Sequence, residues 1–298
     1  IDCIIGTHRL LSGDILSAVQ KNIGNQNKKG RGLCLLVIDE EQRFGVRQKE
    51  KIKELRANIN ILSISATPIP RTLSLALSRL RDISIIKTPP LGRIPIQTFV
   101  LPYRDTLVKD TLRTELGRKG QVFFLHNRVE TLDLFKKKLQ KLVPGAHIEC
   151  IHGKSKPSRL LKILKDFRSG AVDILIATTI IENGIDFPNA NTLIVEDATR
   201  LGLAEAHQLR GRIGRGDRES YAYFLYRSRH LTEKSLLRLQ TLQDASALGS
   251  GYDIALKDLE IRGAGNVLGK EQSGVANKIG LNLYYHMLSE AVEKEKRR

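Results

Sequence analysis

The feature that most constrains the fold is a repeated punctuation: short apolar runs that stop abruptly in carboxylates, hydroxyls or amides. "LCLLVIDEE" carries six apolar residues over 33–38 and ends in Asp39-Glu40-Glu41, and "INILSISATPIP" ends in Ser65-Ala66-Thr67 before Pro68 and Pro70. "QVFFLHN", "HIECIHG", "VDILIAT", "NTLIVED" and "SYAYFLY" repeat the form further along. Runs that are short and continuous, rather than alternating, suit parallel strands buried on both faces. Between them, residues 47–57, 129–142 and 158–167 have helical spacing. Strand and helix in alternation predict α/β architecture with parallel sheets, whose polar strand ends collect where ligands of such folds bind.

The chain has 298 residues, enough for about two domains. The segment "TPPLGRIPIQTF" opens with three prolines in eight residues, a stiff extended connection, and places a boundary there. The expected division is residues 1–93, 94–230 and 231–298. The third part reads as a helix over 231–248, glycine-punctuated turns, and a final helix over 279–296. Residues 20–32, "QKNIGNQNKKGRG", read as a polar surface loop. The opening "IDCIIGTHRLL" has no lead-in, as if a domain were entered midway.

Charge points to the partner. Forty-nine Lys and Arg against 32 Asp and Glu leave +17 and a pI near 9.9, so a polyanion is expected, with nucleic acid favoured over membrane. Residues 1–95 carry 16 basic and 8 acidic groups, 96–230 carry 23 and 15, and 231–298 carry 10 and 9. The first two parts should hold the polyanion and the third contributes little net field. No apolar run approaches the roughly 20 residues of a membrane span, and no stretch reads as a secretory signal. Cys3, Cys34 and Cys150 lack the spacing of a zinc site and read as reduced, mostly buried thiols.

Several positions could carry chemistry. Asp39 and Glu40 follow an apolar strand directly, where Asp39 could hold Mg²⁺ through its waters while Glu40 orients or deprotonates a water attacking a γ-phosphate. A turn or capping cluster explains the same acids. Ser65 and Thr67 could hydrogen-bond Glu40 and sense the nucleotide, or cap the helix that follows. Thr178 and Thr179 end another strand and could contact a phosphate backbone. Gly184 permits close backbone approach, and Asp186 could accept a ribose hydroxyl. In "AHQLRGRIGRGDR", a helix over 204–215 would put Gln208, Arg212 and Arg215 on one face, with Arg210 elsewhere. Two guanidiniums on one stripe suit an anion such as a triphosphate. A solvated basic face is the alternative.

The order of these elements resembles the superfamily 2 helicases and translocases. Gly6-Thr7-His8 matches a DNA-contacting element, Asp39-Glu40-Glu41-Gln42 motif II, Ser65-Ala66-Thr67 motif III, residues 178–186 motif V and residues 208–215 motif VI. Within that superfamily "VIDEEQRFGV", "SATPIPRTL", "RDISIIKTPPLGRIPIQTFV" and "LEIRGAGNVLGKEQSG" are similar to the transcription-repair coupling factor (Mfd) family, with RecG as a relation.

The resemblance implies two RecA-like lobes, the first incomplete, followed by a small helical TRG module. It implies ATP and Mg²⁺ as cofactors and movement on double-stranded DNA, with Thr7, His8, Thr178 and Thr179 at the DNA. Gly184, Asp186 and Gln208 would serve ATP. Asp39, Glu40, Arg212 and Arg215 would be catalytic, and Ser65, Thr67, Arg238, Arg262 and Gln272 would couple nucleotide state to movement. RNA polymerase and a nucleotide-excision repair protein are the partners implied for the whole protein, in bacterial cytoplasm or a plastid. A RecG-like fork-remodelling helicase and a non-catalytic DNA clamp stay open beside this reading. No G-x-x-x-x-G-K-[ST] occurs, so the phosphate-cradling loop is expected upstream and the 298 residues alone are expected to be inactive as an ATPase. Two further departures are a long polar loop at 20–32 and Ser155 and Pro157 where relatives often begin a helix with Met.

Overall fold

The computed structural model describes residues 3–15, 34–41, 44–55, 59–66, 82–86, 88, 92, 94–178, 187, 189–214, 216, 218–245, 249–262, 287, 290, 291 and 294, leaving aside the side chains of residues 230 and 262. The chain divides into two compact units, Ile1–Ala66 and Thr67–Arg298.

In the first unit, β1 (Leu35–Asp39), α1 (Val46–Leu55) and β2 (Asn60–Ile64) form a strand–helix–strand with the strands parallel and Val37 opposite Leu62. Period-two alternation decides which side chains are covered. Ile38 is buried, as is Ile52 of α1, while Leu35, Val37, Leu62 and Ile64 stand 53%, 51%, 51% and 49% exposed. The expectation that this strand is buried on both faces is therefore corrected. Among the described residues one face of the two-stranded sheet is uncovered, because α1 is the single helix described between the strands and one helix covers one side. A short 3₁₀ turn, His8–Leu11, precedes them, with Thr7 and His8 exposed.

The second unit holds a six-stranded sheet of β3 (Gln97–Pro102), β4 (Gln121–Leu125), β5 (Ile148–Ile151), β6 (Ile174–Ala177), β7 (Ala190–Val195) and β8 (Tyr221–Tyr226) in the order β3-β8-β7-β4-β6-β5. Every pairing is parallel. The central strands are buried throughout, and alternation splits each continuous apolar run between two cores. Phe123 and Leu125 of β4 join one core with Leu175 of β6, while Val122 and Phe124 join the other with Ile174 and Ile176.

Helices cover both faces. On one, α2 (Asp105–Gly117) and α3 (Leu132–Leu142) bring Val108, Leu112, Leu132, Phe135 and Leu139 to the core. Their spacing of three, four and seven residues is a single helical stripe. On the other lie α4 (Pro157–Arg168), α5 (Leu203–Arg210), α6 (Glu233–Asp244) and α7 (Gly251–Arg262). Pro157 occupies the first turn of α4, where its missing N–H leaves nothing unpaired. Helix α6 is capped by Thr232, whose hydroxyl accepts from the Ser235 N–H at 3.2 Å.

Two segments differ from expectation. Strand β3 emerges just after the proline-rich stretch and pairs with β8, although its apolar content is modest. Helix α7 occupies part of the tail expected to consist of glycine-punctuated turns. It does so because Ile254, Ala255 and Leu259 have tertiary surface to bury against, which local composition does not show. The expected final helix over 279–296 lies almost entirely outside the described residues. The cysteine expectation is also corrected: Cys150 is buried, but Cys3 and Cys34 are exposed, and none is in a disulfide.

Candidate functional site

Motif II sits where the apolar pattern puts it, at the C-terminal end of β1. Asp39 is exposed as the last strand residue and Glu40 turns the chain with φ of 53°, a left-handed conformation that is uncommon for a residue with a side chain. The turn is pinned to β2 twice: the Glu40 N–H donates to the Ile64 carbonyl at 3.0 Å, and the Ser63 hydroxyl donates to the Glu41 carboxylate at 2.5 Å. Ser63 was not singled out from the sequence, though it lies two residues before Ser65. Ser65 and Glu40 are described and each makes polar interactions; Thr67 lies outside the described residues.

Motif V begins at the end of β6. Thr178 is 4% exposed, and its hydroxyl has no hydrogen-bond partner among the described residues. A buried hydroxyl without a partner is costly, which makes Thr178 a natural contact for a ligand or ordered water. Thr179, Gly184 and Asp186 lie outside the described residues.

The arginine cluster departs most from its reading. Helix α5 stops at Arg210, Gly211 takes the C-cap, and Gly214 turns the chain with φ of 68°. The single-face alignment of Gln208, Arg212 and Arg215 needs a helix through residue 215, so that expectation is corrected: two glycines end the helix first. Gln208 and Arg212 are half-buried and engaged in polar interactions, and Arg215 lies outside the described residues.

Arg210, assigned no role from the sequence, is 4% exposed. Its guanidinium donates to the carbonyls of Leu242 at 3.1 Å and Ala245 at 2.7 Å, and reaches the hydroxyls of Thr98 and Ser250. Nδ1 of His207 accepts a further bond at 2.9 Å. The carbonyls belong to the last turn of α6 and its exit, so one side chain of the motif VI helix closes the open end of the following hairpin. Burial lowers Arg210 to about 10, which leaves it charged at neutral pH. The same burial, with the Arg210 charge adding to it, lowers His207 to about 4 and keeps it neutral with Nδ1 as an acceptor. A signal was present in the sequence: Arg210 falls on the stripe of Leu203 and Ala206, the buried side of α5.

Among the expected coupling residues, Arg238 lies on α6 and donates to the Thr199 carbonyl at 3.4 Å, while its buried Nε has no partner among the described residues. The side chain of Arg262, at the end of α7, and the whole of Gln272 lie outside the described residues. Near the end of the same helix Glu260 pairs with Lys257 at 2.8 Å. Among the described residues no group of three or more His, Cys, Asp or Glu side chains could hold a metal by itself. An exposed Asp39 with its neighbouring acids fits a Mg²⁺ ion held through water rather than by a protein cage.

Residues 105–217 match the helicase conserved C-terminal domain family. Over 297 residues the chain is 48% identical to the transcription-repair-coupling factor of Bacillus subtilis (strain 168), covering 99% of this chain and 24% of that protein. The chain is similar to transcription-repair-coupling factors. The factor of Staphylococcus haemolyticus is 47% identical over the same share of both chains. The chain thus spans about a quarter of the length of these relatives.

Among solved structures, RecG bound to a three-way DNA junction is 29% identical with a TM-score of 0.65, covering 93% of this chain and 38% of that one. The fold also resembles a point variant of S. cerevisiae Dbp5 bound to RNA and ADP BeF3, 19% identical with a TM-score of 0.53 over 78% of this chain and 61% of that chain. With these neighbours, the second unit has the RecA-like fold of a helicase C-terminal lobe. Among the described residues no helix is long and apolar enough to cross a membrane.

Proposed function

We propose that this chain is the motor region of an ATP-dependent double-stranded DNA translocase that serves transcription-coupled repair and acts on stalled RNA polymerase. The observation that carries the reading is identity of 48% to a coupling factor across 99% of the chain. In this reading Asp39 holds Mg²⁺ through water, and Glu40 orients or deprotonates the attacking water. Bound ATP supplies the γ-phosphate whose transfer to water drives movement. Arg212 and Arg215 stabilise charge that develops on that phosphate, and Gln208, Gly184 and Asp186 help bind the nucleotide.

Thr7, His8, Thr178 and Thr179 meet the DNA backbone, and the buried unpartnered hydroxyl of Thr178 supports a contact there. Arg238, Arg262 and Gln272, with Ser65 and Thr67, pass the nucleotide state to the DNA grip. RNA polymerase and a nucleotide-excision repair protein are the partners of the whole protein. Likeness to RecG on a three-way junction sustains a second reading, a fork-remodelling helicase.

The test is made on the protein that carries this segment together with a P-loop. ATP-dependent displacement of a third strand from a duplex, abolished by Glu40→Gln and by Arg215→Ala, together with release of stalled RNA polymerase, is the expected result. Regression of a model fork without polymerase release would favour the second reading. Duplex binding with no ATP hydrolysis would replace both with a DNA clamp.

A further inference from the structure

The motifs leave one concave region of the second unit unused. A cavity of about 320 Å³ opens at the C-terminal ends of β4, β7 and β8 and contains none of the residues singled out from the sequence. Topology explains why it exists. Adjacent strands β4 and β7 send their chains to opposite faces, β4 into α3 and β7 into α5, so a crevice is left between the departing segments. Such a switch point is where open parallel sheets bind ligands.

The chemistry of the lining is lopsided. Arg128, Lys138, Arg200, Arg227 and Arg229 face two carboxylates, Glu196 and Asp197. Both acids are committed. Glu196 is bound by His126 and by Arg227 at 2.7 Å. Burial alone would raise its carboxyl, but the hydrogen bonds and charges of His126 and Arg227 outweigh that and hold it below the ordinary glutamate value, as an anion. Asp197 accepts from the Thr199 hydroxyl at 2.6 Å and lies 3.5 Å from Arg200. Lys138 is paired with Asp105 at 2.5 Å. Among the described residues, Arg128 and Arg229 have no carboxylate partner.

Part of the lining is held in place. The Arg227 guanidinium lies over the Tyr103 ring, 4.4 Å from its centre, while its other side meets Glu196. The Asn127 amide donates to the Asp197 carbonyl at 2.7 Å, which leaves its buried oxygen, without a partner among the described residues, as an acceptor for a ligand hydroxyl or a bridging water. Two uncompensated guanidiniums above a fixed polar floor are matched by a group with several anionic oxygens in tetrahedral array.

We propose that this switch-point cavity is a phosphate-binding site in which Arg128 and Arg229 grip the oxygens of a phosphate ester, over a floor set by Glu196, Arg227 and Asn127. The phosphate belongs either to the backbone of a bound duplex or to a free polyphosphate. The site requires no ATP hydrolysis, so it stands or falls separately from the motor reading.

The test uses the 298-residue chain, with duplex binding followed by fluorescence anisotropy across a salt series and tripolyphosphate binding by calorimetry. Arg128→Ala/Arg229→Ala is compared with Arg168→Ala, an exposed cation on α4 away from the cavity. Both arginines of the pair are exposed, so thermal melting should be unchanged. Loss of about two units from the slope of log affinity against log salt, in the double variant alone, assigns the site to the duplex backbone. Tenfold or greater weakening of tripolyphosphate with an unchanged duplex slope assigns it to a free phosphate ester. Unchanged binding of both probes, or an equal effect from Arg168→Ala, overturns the proposal.

Discussion

Arg210 donates to the main-chain carbonyl of Ala245 at 2.7 Å, so the motif VI helix and the exit of α6 are joined by one buried guanidinium. Arg210→Ala removes the guanidinium from the Leu242 carbonyl, while the Ala245 carbonyl keeps the Ser250 hydroxyl at 3.0 Å. One buried carbonyl left without this donor costs roughly 1–3 kcal/mol, so the variant should lose about 2 kcal/mol, read as a lower urea midpoint. Arg210→Lys should recover only part, because an ammonium cannot spread its donors over the same fork. A midpoint equal to wild type would mean that the hairpin is held by packing alone.

Stability should fall as pH drops from about 6.5 toward 4. Burial first, and the Arg210 charge second, lower His207 to about 4 in the folded chain, while the unfolded chain titrates near 6.5. Between those values only the unfolded state takes up the proton. Stability is therefore complete above pH 6.5 and is lost progressively down to about 4, by an amount on the order of 3 kcal/mol. His207→Gln should flatten urea-unfolding stability over that window. A variant that keeps the full wild-type slope would assign it to other groups.

Gly214→Ala should damage the turn that ends motif VI. The position has φ of 68°, and a Cβ there would lie 2.9 Å from Ile96 Cγ1 and 3.0 Å from Ser220 Cβ. Strain and crowding together should cost roughly 2 kcal/mol, seen as a lower melting temperature. Gly211→Ala serves as the comparison. Its φ is −68° and its nearest neighbours stand at 3.5 Å or more, so it should change little.

Thiol reactivity should divide two to one. Burial pushes the Cys150 thiol up to about 12, whereas Cys3 and Cys34 are exposed. A chromogenic disulfide reagent at pH 8 should consume two equivalents quickly in the native chain and the third only after denaturation. Rapid reaction of all three would show that β5 opens readily.

The apolar runs at 121–125, 174–177 and 190–195 were legible as parallel strands because each is continuous and ends in a polar break. They are central strands, buried on both sides. The same inference failed for β1. Its run is just as continuous, yet Leu35 and Val37 are half-exposed, because covering a second face depends on neighbours and not on the strand itself. The acids at the end of β1 and the threonine at the end of β6 were legible for a related reason: a chemical break after an apolar run marks the sheet edge.

By itself the sequence determined the α/β alternation, the parallel strands, the basic surface and the order of the motif residues, since all of these are periodic or local properties of the chain. Tertiary structure alone decided where Arg210 goes. Gly211 caps the helix before Arg212, and Arg210 turns inward because α6 presents carbonyls to meet it. It also decided that the ends of β4 and β7 part to leave a cationic cavity. That depends on which strands lie side by side, a relation between segments some 70 residues apart that no local pattern encodes.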